Sequence, residues 1–182
     1  MKKKFIITAM IVLAMLLAAG SAYAWFTDSE KAENEFKMGT VKVKVLEEEF
    51  VDIDGVQIGK YDKVVQVQSL GSKKTYVRVR LIPQWSDPSL PVSNVELILD
   101  DNQDWIDCRG QDGYFYYKYY LTENQKTSPL LGKVKFTELE PEYDDAEFTL
   151  KVVAEGVQIT HEAWKDVWGI DVLPFTADQG KS

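Results

Sequence analysis

The chain has 182 residues, with 29 acidic against 21 basic and a formal net charge of −8. That length suits one domain with a real core, and the acidic balance lacks the concentrated positive surface that nucleic-acid binding requires. A single cysteine excludes an intrachain disulfide, so an exported form of this chain depends on its core for stability.

The N-terminus is the most informative stretch. Lys2, Lys3 and Lys4 precede an apolar run, residues 5–19, in which Thr8 is the only clearly polar side chain, and Ala22-Tyr23-Ala24 follows. A basic segment, an apolar segment and a small-x-small triplet read as a secretory signal cut after Ala24, with Ala22 and Ala24 in the small pockets of a signal peptidase and Trp25 as the new first residue. Crossing a membrane as a helix takes about 20 apolar residues, so the segment is marginal as a permanent span. The alternative is an uncleaved anchor over residues 5–26, with the lysines held in the cytoplasm. Cleavage leaves residues 25–182, with 18 basic and 29 acidic side chains and a net charge of −11, because residues 1–24 carry three lysines and no acid. No cysteine follows the apolar run at the position a lipoprotein anchor needs. Contact with a membrane is therefore expected only through the signal segment, before cleavage.

After the signal, residues 25–40 read as an N-terminal arm that begins with Trp25 and Phe26, and residues 41–182 read as the domain. Period-two alternation dominates the domain. Val41, Val43 and Val45 oppose Lys42 and Lys44; Val77, Val79 and Leu81 oppose Tyr76, Arg78 and Arg80; Phe148, Leu150, Val152 and Ala154 oppose Thr149 and Lys151. Further strands are expected over residues 50–58, 64–68, 95–99, 113–121 and 133–137, separated by turn chemistry such as Asp54-Gly55, Gly71-Ser72 and Asp112-Gly113. Many short strands with such punctuation imply an all-β, antiparallel sandwich. Residues 160–168 break the pattern: Ala163, Trp164, Val167 and Trp168 stand at helical spacing, with Thr160 as N-cap. This predicts a short helix covering an edge or end of the sandwich. Residues 169–182 read as a terminal strand or a frayed tail.

Few residues offer chemistry. Asp100, Asn102 and Asp104 are spaced like the start of an EF-hand loop, which makes them weak calcium candidates, but Trp105 replaces the turn glycine and Gln111 the closing glutamate. Glu140, Glu142, Asp144 and Asp145 form a weaker acidic cluster. Cys108 reads as a buried structural thiol. Residues 114–120 contain five of the nine tyrosines; as a strand they send Phe115, Tyr117 and Tyr119 to one face and Tyr114, Tyr116 and Tyr120 to the other. Large buried area and cross-strand pairing make a central sandwich strand the default for these rings, and a carbohydrate or peptide platform on the face of Tyr114, Tyr116 and Tyr120 is the sharper alternative. His161-Glu162-Ala163-Trp164-Lys165 begins like a zinc-protease motif and ends in lysine. One histidine and one cysteine cannot build a typical catalytic zinc site, and no serine elbow is present. No catalytic residue and no cofactor are expected.

Several stretches carry a family resemblance. Ala24-Trp25-Phe26-Thr27-Asp28, Asn34-Glu35-Phe36 and Met38-Gly39-Thr40-Val41 resemble the mature N-terminus of the TasA/camelysin family. Tyr76-Val77-Arg78-Val79-Arg80, Gly113-Tyr114-Phe115-Tyr116-Tyr117 and Glu155-Gly156-Val157-Gln158 continue the likeness, while Gln68-Ser69-Leu70-Gly71-Ser72 departs from the family's usual Asn-x-Gly turn. The resemblance implies export from a Gram-positive bacterium through a SipW-type signal peptidase, a jelly-roll-like sandwich, and a non-enzymatic fibre subunit or accessory of the cell surface or biofilm matrix. Its implied partners are further copies or related matrix proteins. Trp25, Phe26 and Phe36 are then expected in an arm that joins subunits. The alternatives are a surface adhesin using the tyrosine face, and, third, a camelysin-like protease.

Overall fold

The computed structural model describes residues 40–47 and 57–181. The chain divides after Met38 into two units, and the fold described here is that of the second, Gly39–Ser182. The signal segment, the arm and most of the strand expected at 50–58 lie outside the described residues.

Eight strands carry the fold: β1 (Val43–Glu47), β2 (Gly59–Ser69), β3 (Thr75–Trp85), β4 (Val95–Leu99), β5 (Trp105–Cys108), β6 (Tyr114–Tyr117), β7 (Leu131–Phe136) and β8 (Phe148–Gln158). They form two four-stranded antiparallel sheets, β1-β2-β7-β4 and β5-β6-β3-β8. Only β1–β2 and β5–β6 are successive strands of one sheet. Every other connection passes from one sheet to the other, as in a jelly roll. The protein is an all-β sandwich.

Alternation explains the layers. Val65 and Val67 of β2, Val77 and Val79 of β3, Phe115 and Tyr117 of β6, and Val134 of β7 are fully buried between the sheets. Burying one such side chain is worth about 1.5–3 kcal/mol. One end of this core is aromatic: Trp85, Phe136, Tyr143 and Phe148 meet with ring centroids 4.9–5.7 Å apart. The longest pairing is β3 with β8, in register from Thr75 opposite Gln158 to Trp85 opposite Phe148.

Two glycines admit the chain into β1. A Cβ on Gly71 would stand 1.9 Å from the Thr40 carbonyl oxygen, and the Leu70 amide donates to the Lys42 carbonyl at 2.7 Å. A Cβ on Gly156 of β8 would stand 2.8 Å from Val43 Cγ1 and 3.2 Å from Val41 Cγ1. The entry to β1 is thus pressed onto the loop after β2 and onto β8 of the facing sheet.

Several boundaries differ from expectation. β1 starts at Val43 rather than Val41, and β2, β3 and β8 extend well beyond their alternating cores. β6 ends at Tyr117, because the chain bends at residues 118–119 before Tyr120 and Leu121 make isolated bridges. β5 was not anticipated. The helical stretch is a 3-10 turn (Thr160–Glu162) followed by one α-helix, α1 (Ala163–Trp168). Thr160 caps nothing with its side chain, since His161 (φ 57°) and Glu162 (φ 50°) are left-handed and break the helix there. The helix covers the outer face of the second sheet rather than an edge or end, because Trp164 and Trp168 find Tyr76 and Tyr116 there.

Candidate functional site

The most elaborate side-chain constellation lies on that outer face. Tyr76, Arg78 and Arg80 point outward from β3, Tyr114 and Tyr116 from β6, and Glu155 and Val157 from β8. Trp164 and Trp168, four residues apart on α1, close over them, with Leu173 beyond. Trp164 stands edge-on to Tyr76 at 5.8 Å, and Trp168 edge-on to Tyr116 at 5.7 Å.

Arg78 organises the polar part and is only 7% exposed. Its Nε and Nη2 donate to Glu155 Oε2 at 2.9 and 2.7 Å, and its Nη1 donates to the Tyr116 hydroxyl at 3.2 Å. The guanidinium lies 4.0 Å from the Tyr114 ring centroid and 4.9 Å from that of Trp168. Tyr114 donates its hydroxyl to Glu155 Oε1 at 2.6 Å, and Tyr116 donates to Asp112 Oδ2. The Asp112-Gly113 turn places that carboxylate. Gly113 sits at φ +85°, Asp112 Oδ1 accepts from the Tyr114 amide at 3.0 Å, and the Asp112 carbonyl accepts from Arg80 at 2.8 Å.

Titration behaviour follows from these contacts. Burial, reinforced by the bond to Asp112, pushes the Tyr116 hydroxyl up to about 12. Burial alone would raise Glu155, but hydrogen bonds from Tyr114 and Arg78 outweigh it and hold the carboxyl below its usual value. Burial likewise opposes the Arg78 charge, and its bonds to Tyr116 and Glu155 outweigh that. General acid–base work at neutral pH favours a group that titrates near it. These three groups are each locked in one state instead. The cluster is chemically a clamp that fastens α1 and the β5–β6 turn to the sheet.

This geometry changes the reading of the tyrosines. Tyr114 and Tyr116 are buried and Tyr120 is half-buried, so the proposed ligand face is filled by α1 and the segment after it. Phe115 and Tyr117 do enter the core, as expected. In the acidic loop, Asp100 Oδ1 accepts from the Asn102 amide at 3.0 Å and from the Asn102 side chain at 2.6 Å. Asn102 also donates to the Pro129 carbonyl, and Asp104 Oδ2 accepts from Ser128 and Lys181. These oxygens already hold protein donors and stiffen a loop. Among the described residues no group of three or more histidine, cysteine, aspartate or glutamate side chains is placed to hold a metal ion. Glu140, Glu142, Asp144 and Asp145 are exposed around a 3-10 turn, Pro141–Tyr143. Cys108 is buried, and burial with the nearby Asp112 and Asp107 charges raises its thiol. His161 is exposed, and Lys165 pairs with Glu162 at 2.7 Å, so the truncated motif makes a surface ion pair. Ala22, Ala24, Trp25, Phe26 and Phe36 lie outside the described residues.

Fold and site together define an antiparallel β-sandwich whose one outer face is sealed by a short helix. Residues 1–77 match the family model described as camelysin metallo-endopeptidase, a family that includes TasA-like proteins. The resemblance read from the sequence is borne out over that stretch, which reaches through β1 and β2 into β3. The family's description points toward a protease. No curated protein and no solved structure matches the chain. Among the described residues no helix is long and apolar enough to cross a membrane.

Proposed function

We propose that the protein is an exported, non-enzymatic structural protein of the cell surface or biofilm matrix, a fibre subunit or accessory that assembles by strand addition. The observation that carries this reading is the outer edge of β8. Eleven residues long, β8 pairs with β3 throughout, and among the described residues no strand pairs with its other side. An open edge of that length is a template for another chain. Beside it, Val41 and Val43 press on Gly156, so the start of β1 lies close to this edge. Trp25, Phe26 and Phe36 of a neighbour's arm would anchor the added strand. Release from the membrane by a SipW-type peptidase after Ala24 frees the arm, which couples export to assembly.

Light scattering and electron microscopy of residues 25–182 against a chain beginning at Met38 test this reading. Fibres or oligomers from the first only are expected. Two monomeric samples at high concentration, or identical fibres from both, would refute it. N-terminal sequencing of secreted material is expected to begin at Trp25.

The protease reading has the family's description in its favour. Against it, the chain has one histidine, and that residue sits in a left-handed turn before a lysine–glutamate pair. Added zinc is expected to produce no peptidase activity. Activity that vanished in His161→Ala, with the fold intact, would restore the protease.

A further inference from the structure

The last described residues run back over the second sheet and stop beside β6. Phe175 stands edge-on to Tyr76 at 5.2 Å, and the Asp178 amide donates to the Tyr76 hydroxyl at 2.6 Å. The Tyr120 amide then donates to the Gln179 carbonyl at 2.9 Å, and Tyr120 and Gly180 form a parallel bridge. Lys181 reaches Asp104 Oδ2 at 2.5 Å and Ser128 Oγ at 2.6 Å.

Backbone donors show which edge is involved. Leu121 donates to Thr75, on the β3 side, at 2.8 Å, while Lys118 donates to Asp104, just before β5, at 2.9 Å. Tyr120 donates to Gln179, away from β3. Residues 178–181 therefore occupy the edge of the β6 extension at the end of β5. The hold is slight. Residues 176–181 are all exposed, Asp178 is in the left-handed region at φ 63°, and the bridge is isolated. In the pair with Asp104 the Lys181 side chain is 52% exposed and the Asp104 side chain 14%, so the exposed ammonium leaves the contact open to screening by salt. Leu173, five residues before Asp178, is buried and anchors the segment's base.

We propose that residues 178–181 are an exchangeable edge strand, which closes this edge in its own chain and occupies the identical edge of a second copy when copies meet. The occupant is fixed by identity: the bonds that Tyr120 donates to its own tail, and those that Asp104 and Tyr76 accept from it, are equally available to another copy's tail. Exchanging an identical element between protomers is a low-cost route to association. The exchange does not involve the N-terminal arm, so it stands or falls apart from the assembly proposed above.

The test is paramagnetic broadening between copies of the exported chain. A spin label on Ser182→Cys is placed in an isotopically silent copy (Cys108 is buried and escapes labelling) and mixed with unlabelled, ¹⁵N-enriched chain. At high protein concentration the Tyr120 and Lys118 amides of the enriched copy are expected to broaden, and added salt to reduce the effect. Lys181→Glu in the labelled copy sets a carboxylate against Asp104 and is expected to cut the broadening several-fold. No broadening at these amides in the mixed sample, or broadening unchanged by Lys181→Glu, would overturn the proposal.

Discussion

Ionisation of one tyrosine offers a sharp test of the clamp beneath α1. Tyr116 is 1% exposed, donates to Asp112 and accepts from Arg78, and its hydroxyl is pushed up to about 12. In the unfolded chain a tyrosine titrates near 10. A group whose native value is raised contributes stability that is complete below the unfolded value and is lost as pH climbs toward the native one. With values of about 10 and 12, the loss from this single residue at pH 11 is about 1.4 kcal/mol. Tyr116→Phe removes that pH dependence together with the hydroxyl. At pH 7 the substitution is expected to cost about 1.5–3 kcal/mol, the range for a hydrogen bond to a charged group. By pH 11 the gap between the two proteins should narrow by about 1.4 kcal/mol, since only the wild type has a Tyr116 to ionise. Urea denaturation of both proteins from pH 7 to 11 measures the gap, and the remaining tyrosines, common to both, drop out of the difference. A gap that stays constant over that range would show that Tyr116 is not held neutral by its surroundings, and the clamp would lose its central member.

Three further outcomes follow from the packing. Trp168→Ala removes a ring packed against both Arg78 and Tyr116 and is expected to cost about 3–5 kcal/mol, with faster amide exchange in residues 163–173; an effect under 1 kcal/mol in a thermal melt would mean that α1 is not docked as described. Gly156→Val drives a side chain into Val41, Val43 and Thr75, so a loss of about 1–3 kcal/mol is expected, with exchange rising first in β1; unchanged protection of residues 43–47 would contradict the close approach. Glu155 is held below its ordinary value, so its contribution is present above the unfolded carboxylate value of about 4.3 and fades as pH falls through the native one. Glu155→Gln is accordingly expected to flatten the acid limb of the stability profile, and an identical limb in both proteins would count against the Arg78–Glu155 pair.

Much of the sandwich was legible because alternation reports burial directly. Val77, Val79 and Leu81 on β3, and Leu150 and Val152 on β8, each have one face to bury, and the structure buries it. β4 was read at its actual bounds for the same reason. β5 was missed because its alternation is brief: Trp105 and Ile106 are both half-buried, one against the core and the other under the second cluster. The outward tyrosines left two readings open for a related reason. Period two tells which residues share a face and leaves open whether that face meets water, so the alternative of a ligand platform at Tyr114 and Tyr116 is removed only by α1, which covers them. A signal was nevertheless present, since Trp164 and Trp168 at helical spacing make an aromatic stripe that needs a matching surface. The left-handed pair His161 and Glu162 had no signature, because neither residue type announces that backbone state.

Edges decide whether a sandwich remains single, and those of this protein are unequal. In the first sheet the edges are β1, five residues long, and β4, whose pairing with β7 shifts register near Ile98/Leu99, which twists a sheet and spoils further pairing. β5 is four residues long, and the chain's own tail continues its edge. β8 has neither defence among the described residues. Its eleven pairs with β3 run without a shift, it holds no proline, and its half-buried Val153 and exposed Lys151 share the outer face. A long, regular strand is costly to leave open in a chain that works alone, because its amides and carbonyls accept any passing strand. In a chain that works in company the same edge is where recruitment starts. The contrast between a guarded β5–β6 edge and an unguarded β8 edge gives the two associations proposed here separate addresses on one sheet, at its opposite sides. Blocking β8 with Val153→Pro should therefore suppress arm-dependent assembly while leaving tail exchange at Tyr120 intact, and loss of both together would show that the two edges do not act independently.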